Sequence, residues 1–237
     1  MKLLGIDSSS LVASVAIVED DVLTAEYTIN FKKTHSQTLL PMMDEVAKML
    51  ELDLRTVDAI AVSGGPGSFT GLRIGAATAK GLGLALKKPL IHVPTLDAMA
   101  YNLWGSHALI CPMMDAKRNQ VYTGLYHCRE ELEIVKSPCA MDILDLIEEL
   151  NQAGQQVLFL GDGVPVYGTE LERRLKIPYG MAPAQNNRQR AGSVAALGAV
   201  YLKKGQTVLA EEFQPEYLRK SQAEREREAQ AGKEKGE

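Results

Sequence analysis

The chain has 237 residues, 46% of them hydrophobic and 24% charged, with a formal net charge of -4. That suffices for one large domain or two lobes of about 100 residues each, and it excludes a chain disordered throughout. It also excludes nucleic-acid binding by bulk charge alone, which rests on clustered Lys and Arg neutralising phosphates.

In chain order, "KLLGID" (2–7) is a compact apolar run ending in an acid. Met1-Lys2 leads straight into it, so no signal peptide is expected. "SSS" turns the chain, and "LVASVAIVE" (11–19) and "VLTAEYTIN" (22–30) complete a predicted antiparallel meander. "THSQTLLPMMDEVAKMLEL" (34–52) reads as a helix. Thr34 and Gln37 fit a capping box, but Pro41 then falls beyond the first turn, so a start at Ser36 or Thr38 suits the proline better. "VDAIAVS" (57–63) is the next strand, followed by a glycine loop and a helix to about Lys87. That helix holds the longest apolar run, Leu72–Leu86, which is too short for a membrane span and is broken by Arg73 and Lys80. "PLIHVP" (89–94) is a strand, and "TLDAMAYNLW" (95–104) a helix with Thr95 as its expected cap.

The pattern then restarts. "ALICPMMDAKRNQVYTGLYHC" (108–128) is strand, acid, polar turn and strand, so Met113–Val121 matches Gly5–Ala13 in character. "ELEIVKS" (131–137) supplies a third strand, "AMDILDLIEELNQAG" (140–154) a helix closed by Gly154, and "QVLFLGDG" (156–163) a buried strand running into a glycine loop. "AGSVAALGAVYLKKG" (191–205) is a small-residue helix. The repeat implies an α/β fold of two similar lobes with a cleft between them, divided as 1–104 and 105–220. Residues 221–237, polar and mixed in charge, read as a disordered tail. Cys111, Cys128 and Cys139 lack metal spacing and read as reduced thiols.

The stretch "AVSGGPGSFTGLRIG" (61–75) carries the most information. A strand, a glycine loop and a helix N-terminus together can present N–H groups to an anion. Yet no Gly-Lys-Ser/Thr follows Ser68, and Thr70 stands where a dinucleotide loop has its third glycine. In the helix, Gly71, Gly75, Ala79 and Gly83 recur every four residues along one face. Each interior glycine costs roughly 1 kcal/mol against alanine, so the stripe needs a return, either the close approach of another backbone or packing on the chain's own sheet. The 34–52 helix favours the first. Leu39, Met42, Met43, Val46 and Leu50 form an apolar stripe, widened by Leu40, Ala47 and Met49 beyond one core contact. The two helices are therefore expected to make a docking face.

At "GIDSSS", "HSQTLLPMMDEV", "VSGGPGSFTGLRIGAATAKGLGLALKKPLIHVPTLDAMA", "MMDAKRNQVYTGLY" and "QPEYLRK" the sequence resembles the TsaB (YeaZ) family, over nearly all the chain to about Lys220. The resemblance implies the two-lobed fold of the actin-like ATPase, Hsp70 and sugar-kinase superfamily. It implies a cytoplasmic, non-catalytic subunit that binds TsaD. TsaD forms threonylcarbamoyladenosine at position 37 of tRNAs reading codons that begin with A. TsaE joins the pair, tRNA is met only through the complex, and homodimer and monomer both stay open for the chain in isolation. The docking helices would present Leu39, Met42, Met43, Val46 and Leu50 with Gly71, Arg73, Gly75, Ala79 and Gly83. No cofactor or metal is expected to bind this chain tightly, which leaves ATP and Mg²⁺ to the assembled complex.

Two other functional classes stay open. A stand-alone ATPase or small-molecule kinase needs a working cleft, but the superfamily's D-x-G turns here read Asp7-Ser8-Ser9 and Asp115-Ala116-Lys117. Gly161-Asp162-Gly163 is a nucleotide-side loop or a strand-end turn. The acids hold a hydrated Mg²⁺ or cap their own turns, and capping is the commoner use. The cleft is therefore expected to be degenerate. A metallopeptidase needs paired ligands, and His92 has no second histidine at the required spacing.

Overall fold

The computed structural model describes residues 1–32 and 34–219. The tail expectation for 221–237 lies outside them. Strands β1 (Lys2–Asp7), β2 (Val12–Glu19) and β3 (Val22–Asn30) form the expected meander, turned between β2 and β3 by Asp20 and Asp21 at φ 46° and 64°. β4 (Ala59–Gly65) and β5 (Leu90–Pro94) join in parallel, giving the order β3-β2-β1-β4-β5. β1 and β4 are buried on both faces, as strands covered by helices must be.

Helix α1 (His35–Met49) and helix α2 (Phe69–Leu86) cover one face of this sheet. α1 starts at His35 and carries Pro41 inside it, against the later start expected. Pro41 is exposed, and the Thr38 hydroxyl reaches back to the carbonyls of Thr34 and His35. Helix α3 (Thr95–Tyr101) begins at Thr95 itself, whose hydroxyl bonds Ser63 and accepts from the N–H of Gly65 instead of capping the helix.

The second lobe repeats this topology. Strands β6 (Ser106–Asp115), β7 (Gln120–Cys128), β8 (Leu132–Asp142), β9 (Val157–Leu160) and β10 (Tyr179–Met181) are ordered β10-β9-β6-β7-β8. Helices α4 (Ile143–Ala153) and α5 (Gly163–Arg174) cover one face. Each lobe is thus three antiparallel strands, a helix, a parallel strand, a helix, a parallel strand and a final helix.

The final helices break the chain-order division. α3 lies between the lobes, with Leu96, Met99 and Ala100 in the core of the second sheet. Helix α6 (Ala191–Lys203) returns to cover the first sheet, packing Val194, Ala195 and Leu197 on Leu3, Ala61 and Val93. The segment after it also belongs to the first lobe, where Val208 bridges Leu90 and Phe213 is buried beside Ala79 and Leu90. Residue 104 therefore separates the two sheets, but 191–219 does not belong with the second lobe as expected.

Phe213 fastens this C-terminal strap. Phe213→Ala is expected to cost about 3–5 kcal/mol, read as a fall in melting temperature on the order of 10 °C. A thermal scan unchanged by the substitution would detach the strap from the first lobe's fold.

Candidate partner face and interlobe cleft

At the end of β1 the Asp7 carboxylate is buried. Its Oδ1 accepts from the N–H and the hydroxyl of Ser9 at 2.9 and 2.8 Å, while Oδ2 has no protein partner. Burial pushes its pKa up, against the pull of the Ser9 bonds. The next residues are gripped by α2. Ser8 Oγ donates to the Gly71 carbonyl at 2.9 Å, and the Ser68 N–H donates to the Ser9 carbonyl at 2.6 Å. Ser68 also caps α2, accepting from the Gly71 N–H at 3.3 Å. A Cβ at Gly71 would lie 2.1 Å from the Ser8 carbonyl oxygen, one at Gly75 2.4 Å from Ser8 Oγ, and one at Gly67 2.3 Å from the Ser9 carbonyl oxygen.

These distances correct the docking expectation. Gly71 and Gly75 face the chain's own first turn, Ala79 is fully buried, and a Cβ on Gly83 would meet Ala210 and Leu90. On α1, Leu39, Met42, Met43 and Val46 are buried against Ile6, Val15, Ile17 and Ile60, and Leu50 packs at their edge. The physical reason is that both stripes are the inner faces of helices on a two-sided sheet. Of the ten residues expected at the interface, Arg73 alone is fully exposed.

The opposite faces are the exposed ones. α1 turns Leu40, Pro41 and Met49 to solvent, and α2 turns Arg73, Ala77, Gly81 and Leu84. Gly81 has nothing within 4 Å of where a Cβ would stand. A mid-helix glycine costs about 1 kcal/mol against alanine, and no contact among the described residues explains this one. Sequence reasoning assigned the inward glycines to a partner and passed over Gly81, which breaks the four-residue repeat.

Between the lobes lies a cleft of about 580 Å³, bordered by Ser9, His35 and Ser68 on one side and Asp115, Lys117 and Asp162 on the other. Lys117, Arg118 and Asn119 are all left-handed, at φ 62°, 57° and 60°. Lys117 folds back on Asp115, its N–H 2.8 Å from Oδ1 and its ammonium on Oδ2. Partial burial pushes Asp115 up, but the bonds and charge of Lys117 outweigh it and hold the carboxyl below its usual range. Gly161 and Gly163 make the strand-end turn, since a Cβ at either would strike the Met113 carbonyl, at 2.0 and 3.0 Å. His92 packs under Gly64 and beside Phe213, and burial lowers its pKa. Among the described residues no three His, Cys, Asp or Glu side chains are grouped to hold a metal ion.

Sequence reasoning noted "QPEYLRK" (214–220) but gave the strap residues no role, although two aromatics flank Pro215. Tyr217 stacks on Phe69 at 4.9 Å, and Arg219 crosses the cleft to donate to the Ala116 carbonyl at 2.7 Å.

Two outcomes test this geometry. Gly75→Leu is expected to destabilise the free chain by about 1–3 kcal/mol or more, because Ser8 must move. An unchanged melting temperature would turn the stripe outward again. Asp7→Asn keeps the Oδ1 acceptor and removes a buried charge. A carboxyl whose folded pKa is raised above its ordinary value near 3.8 loses folding stability as pH rises from that value through the folded one. Asp7→Asn is therefore expected to stabilise the fold more at pH 7 than near pH 4, and chemical denaturation at the two pH values reads the difference.

The family model for TsaD, tRNA N6-adenosine threonylcarbamoyltransferase, matches residues 23–227. The tRNA threonylcarbamoyladenosine biosynthesis protein TsaB of Bacillus subtilis is 32% identical, over 94% of this chain and 96% of its own. The protein of the same description from Escherichia coli is 30% identical with the same coverage. Among solved structures, YeaZ from Pseudomonas aeruginosa superposes with a TM-score of 0.76 at 26% identity, over 92% of this chain and 99% of that one. A polyphosphate/ATP-glucomannokinase from Arthrobacter, TM-score 0.51 at 12% identity over 85% of this chain and 99% of that one, shares the fold alone. Relatives at 30% and 32% identity, matched over 94% of this chain and 96% of their own, place it: the chain belongs to the TsaB family of tRNA threonylcarbamoyladenosine biosynthesis proteins.

Proposed function

We propose that this chain is a non-catalytic partner subunit that binds TsaD through the outward faces of α1 and α2, and so supports threonylcarbamoyladenosine formation in tRNA. The observation that carries this is Gly81. It leaves a gap in the side-chain cover of an exposed helix, flanked by Ala77 and Leu84, where a second helix can lie close. Leu40 and Met49 on the neighbouring helix, 54% and 77% exposed, supply apolar area. The part that the TsaB relatives play in tRNA threonylcarbamoyladenosine biosynthesis, the process of TsaD, supports the pairing.

The cleft argues for a supporting role. Its first Asp turn is filled by its own serines, and its second Asp is held by Lys117. The reading places the chain in the cytoplasm, with TsaE joining the pair, a homodimer using the same face in isolation, and ATP, Mg²⁺ and tRNA engaged by the complex. No helix among the described residues is long and apolar enough to cross a membrane.

Co-purification with TsaD, followed by reconstitution of the modification with and without this chain, tests the proposal. Modification is expected to require the chain. Gly81→Leu is expected to leave the free chain folded and to weaken TsaD binding by about tenfold or more, the effect of overpacking a contact by 1–3 kcal/mol. Full binding by Gly81→Leu would remove α2 from the interface. Tight ATP binding by the isolated chain, abolished by Asp7→Ala, would favour the ATPase reading.

A further inference from the structure

The outward stripe of α2 runs Arg73, Ala77, Gly81, Leu84, and its first member is built unlike an ordinary surface arginine. The Arg73 guanidinium lies 4.0 Å over the Phe69 ring, one helical turn before it. Tyr217, 144 residues away in sequence, closes the other side, its ring 4.9 Å from Phe69 and its hydroxyl 3.4 Å from Arg73 Nε. Tyr217 is held there by the strap. Lys80 Nζ donates to the carbonyls of Glu211 and Phe213 at 2.9 and 3.2 Å, Phe213 is buried, and the Glu216 N–H donates to the Gly64 carbonyl at 2.7 Å. Among the described residues no carboxylate pairs with Arg73, and its Nη atoms donate to nothing.

We infer that Phe69, Arg73 and Tyr217 form the anchor of the docking face, and that Arg73 receives a carboxylate, an Asp or Glu side chain, from the helix of TsaD that lies along Ala77 and Gly81. The inference rests on the partner reading above and adds the chemistry of the contact. Three features carry it. The guanidinium already rests on Phe69 and bonds Tyr217 in the free chain, which reduces the side-chain freedom left to lose on binding. Its Nη donors keep the planar fork that suits a carboxylate, with Nε turned to Tyr217. It stands in the first turns of α2, where the helix's positive end also favours an anion. Arg and Tyr are the residue types that dominate interface energetics. The strap thus serves the interface as well as the fold, although Tyr217 comes from the far end of the chain.

The experiment measures the affinity of the full chain for TsaD at low and high salt, with thermal unfolding of each free variant. Arg73→Ala is expected to weaken binding by about 10–100-fold with little change in melting temperature. Arg73→Lys is expected not to restore it, because an ammonium loses the stacked fork. Tyr217→Phe keeps the ring and is expected to bind nearly as wild type, whereas Tyr217→Ala weakens binding. Wild-type affinity is expected to fall with salt more steeply than that of Arg73→Ala. If Arg73→Ala binds as wild type while Gly81→Leu does not, the docking face stands and this anchor is wrong. If both bind as wild type, the partner reading falls and the anchor with it. If Arg73→Ala disturbs only self-association, the carboxylate belongs to a second copy and the assignment to TsaD is overturned.

Discussion

The structure depends first on how tightly α2 grips the turn after β1. The carbonyl oxygens of Ser8 and Ser9 stand 2.1 and 2.3 Å from where the Cβ atoms of Gly71 and Gly67 would be, so no side chain fits at either position. Bare helix and turn are then joined by reciprocal bonds, Ser8 Oγ to the Gly71 carbonyl and the Ser68 N–H to the Ser9 carbonyl. The grip also takes up two of the N–H groups that the glycine loop and the helix start could present to an anion. An anion-binding loop keeps the N–H groups at the helix start free for its ligand. Here the Ser68 N–H is committed to Ser9, and the Gly71 N–H to the hydroxyl of Ser68. The glycines serve contact between backbones within the chain.

Once the bare side of α2 is turned inward, the direction of everything else on the first lobe follows. α1 must present Leu39, Met42, Met43 and Val46 to the same sheet, which leaves Leu40, Pro41 and Met49 outside. The small residues of α2 then divide into two sets with different causes. Gly71, Gly75, Ala79 and Gly83 are explained by Ser8, the core and the strap. Among the described residues nothing packs where a Cβ on Gly81 would stand, and Ala77 is exposed beside it.

Much of the fold was legible in the sequence, because strands ending in Asp and followed by polar turns occur twice, and helix periods separate them. What was not legible was direction and distance. A stripe such as Gly71-Gly75-Ala79-Gly83 says that a backbone comes close but not whose. The deciding neighbour, Ser8, is 63 residues away from Gly71. α5 escaped notice because Pro165 and Gly168 interrupt it, and β10 because it has three residues, none of them buried. The return of α6 to the first sheet is a fact of topology that local pattern does not record. The cleft was legible in part. The residues after Asp7 and Asp115 could be read, but Lys117 folding onto Asp115 goes with three successive left-handed residues, which non-glycine side chains rarely adopt.

The two lobes are also tied in ways that bear on what such a molecule can do. α3 is buried from Thr95 to Ala100 between them. Asp97 on that helix accepts from Tyr126 of the second sheet at 2.9 Å and from Tyr201 of α6 at 3.4 Å. Burial pushes the Asp97 carboxyl up despite both bonds. Outside the core, the strap joins Gly64 of the first lobe to Ala116 of the second through Glu216 and Arg219, three residues apart. The lobes are thus joined both through buried side chains and through the strap, and the same strap sets Tyr217 against Phe69 and Arg73 at the end of the outward face.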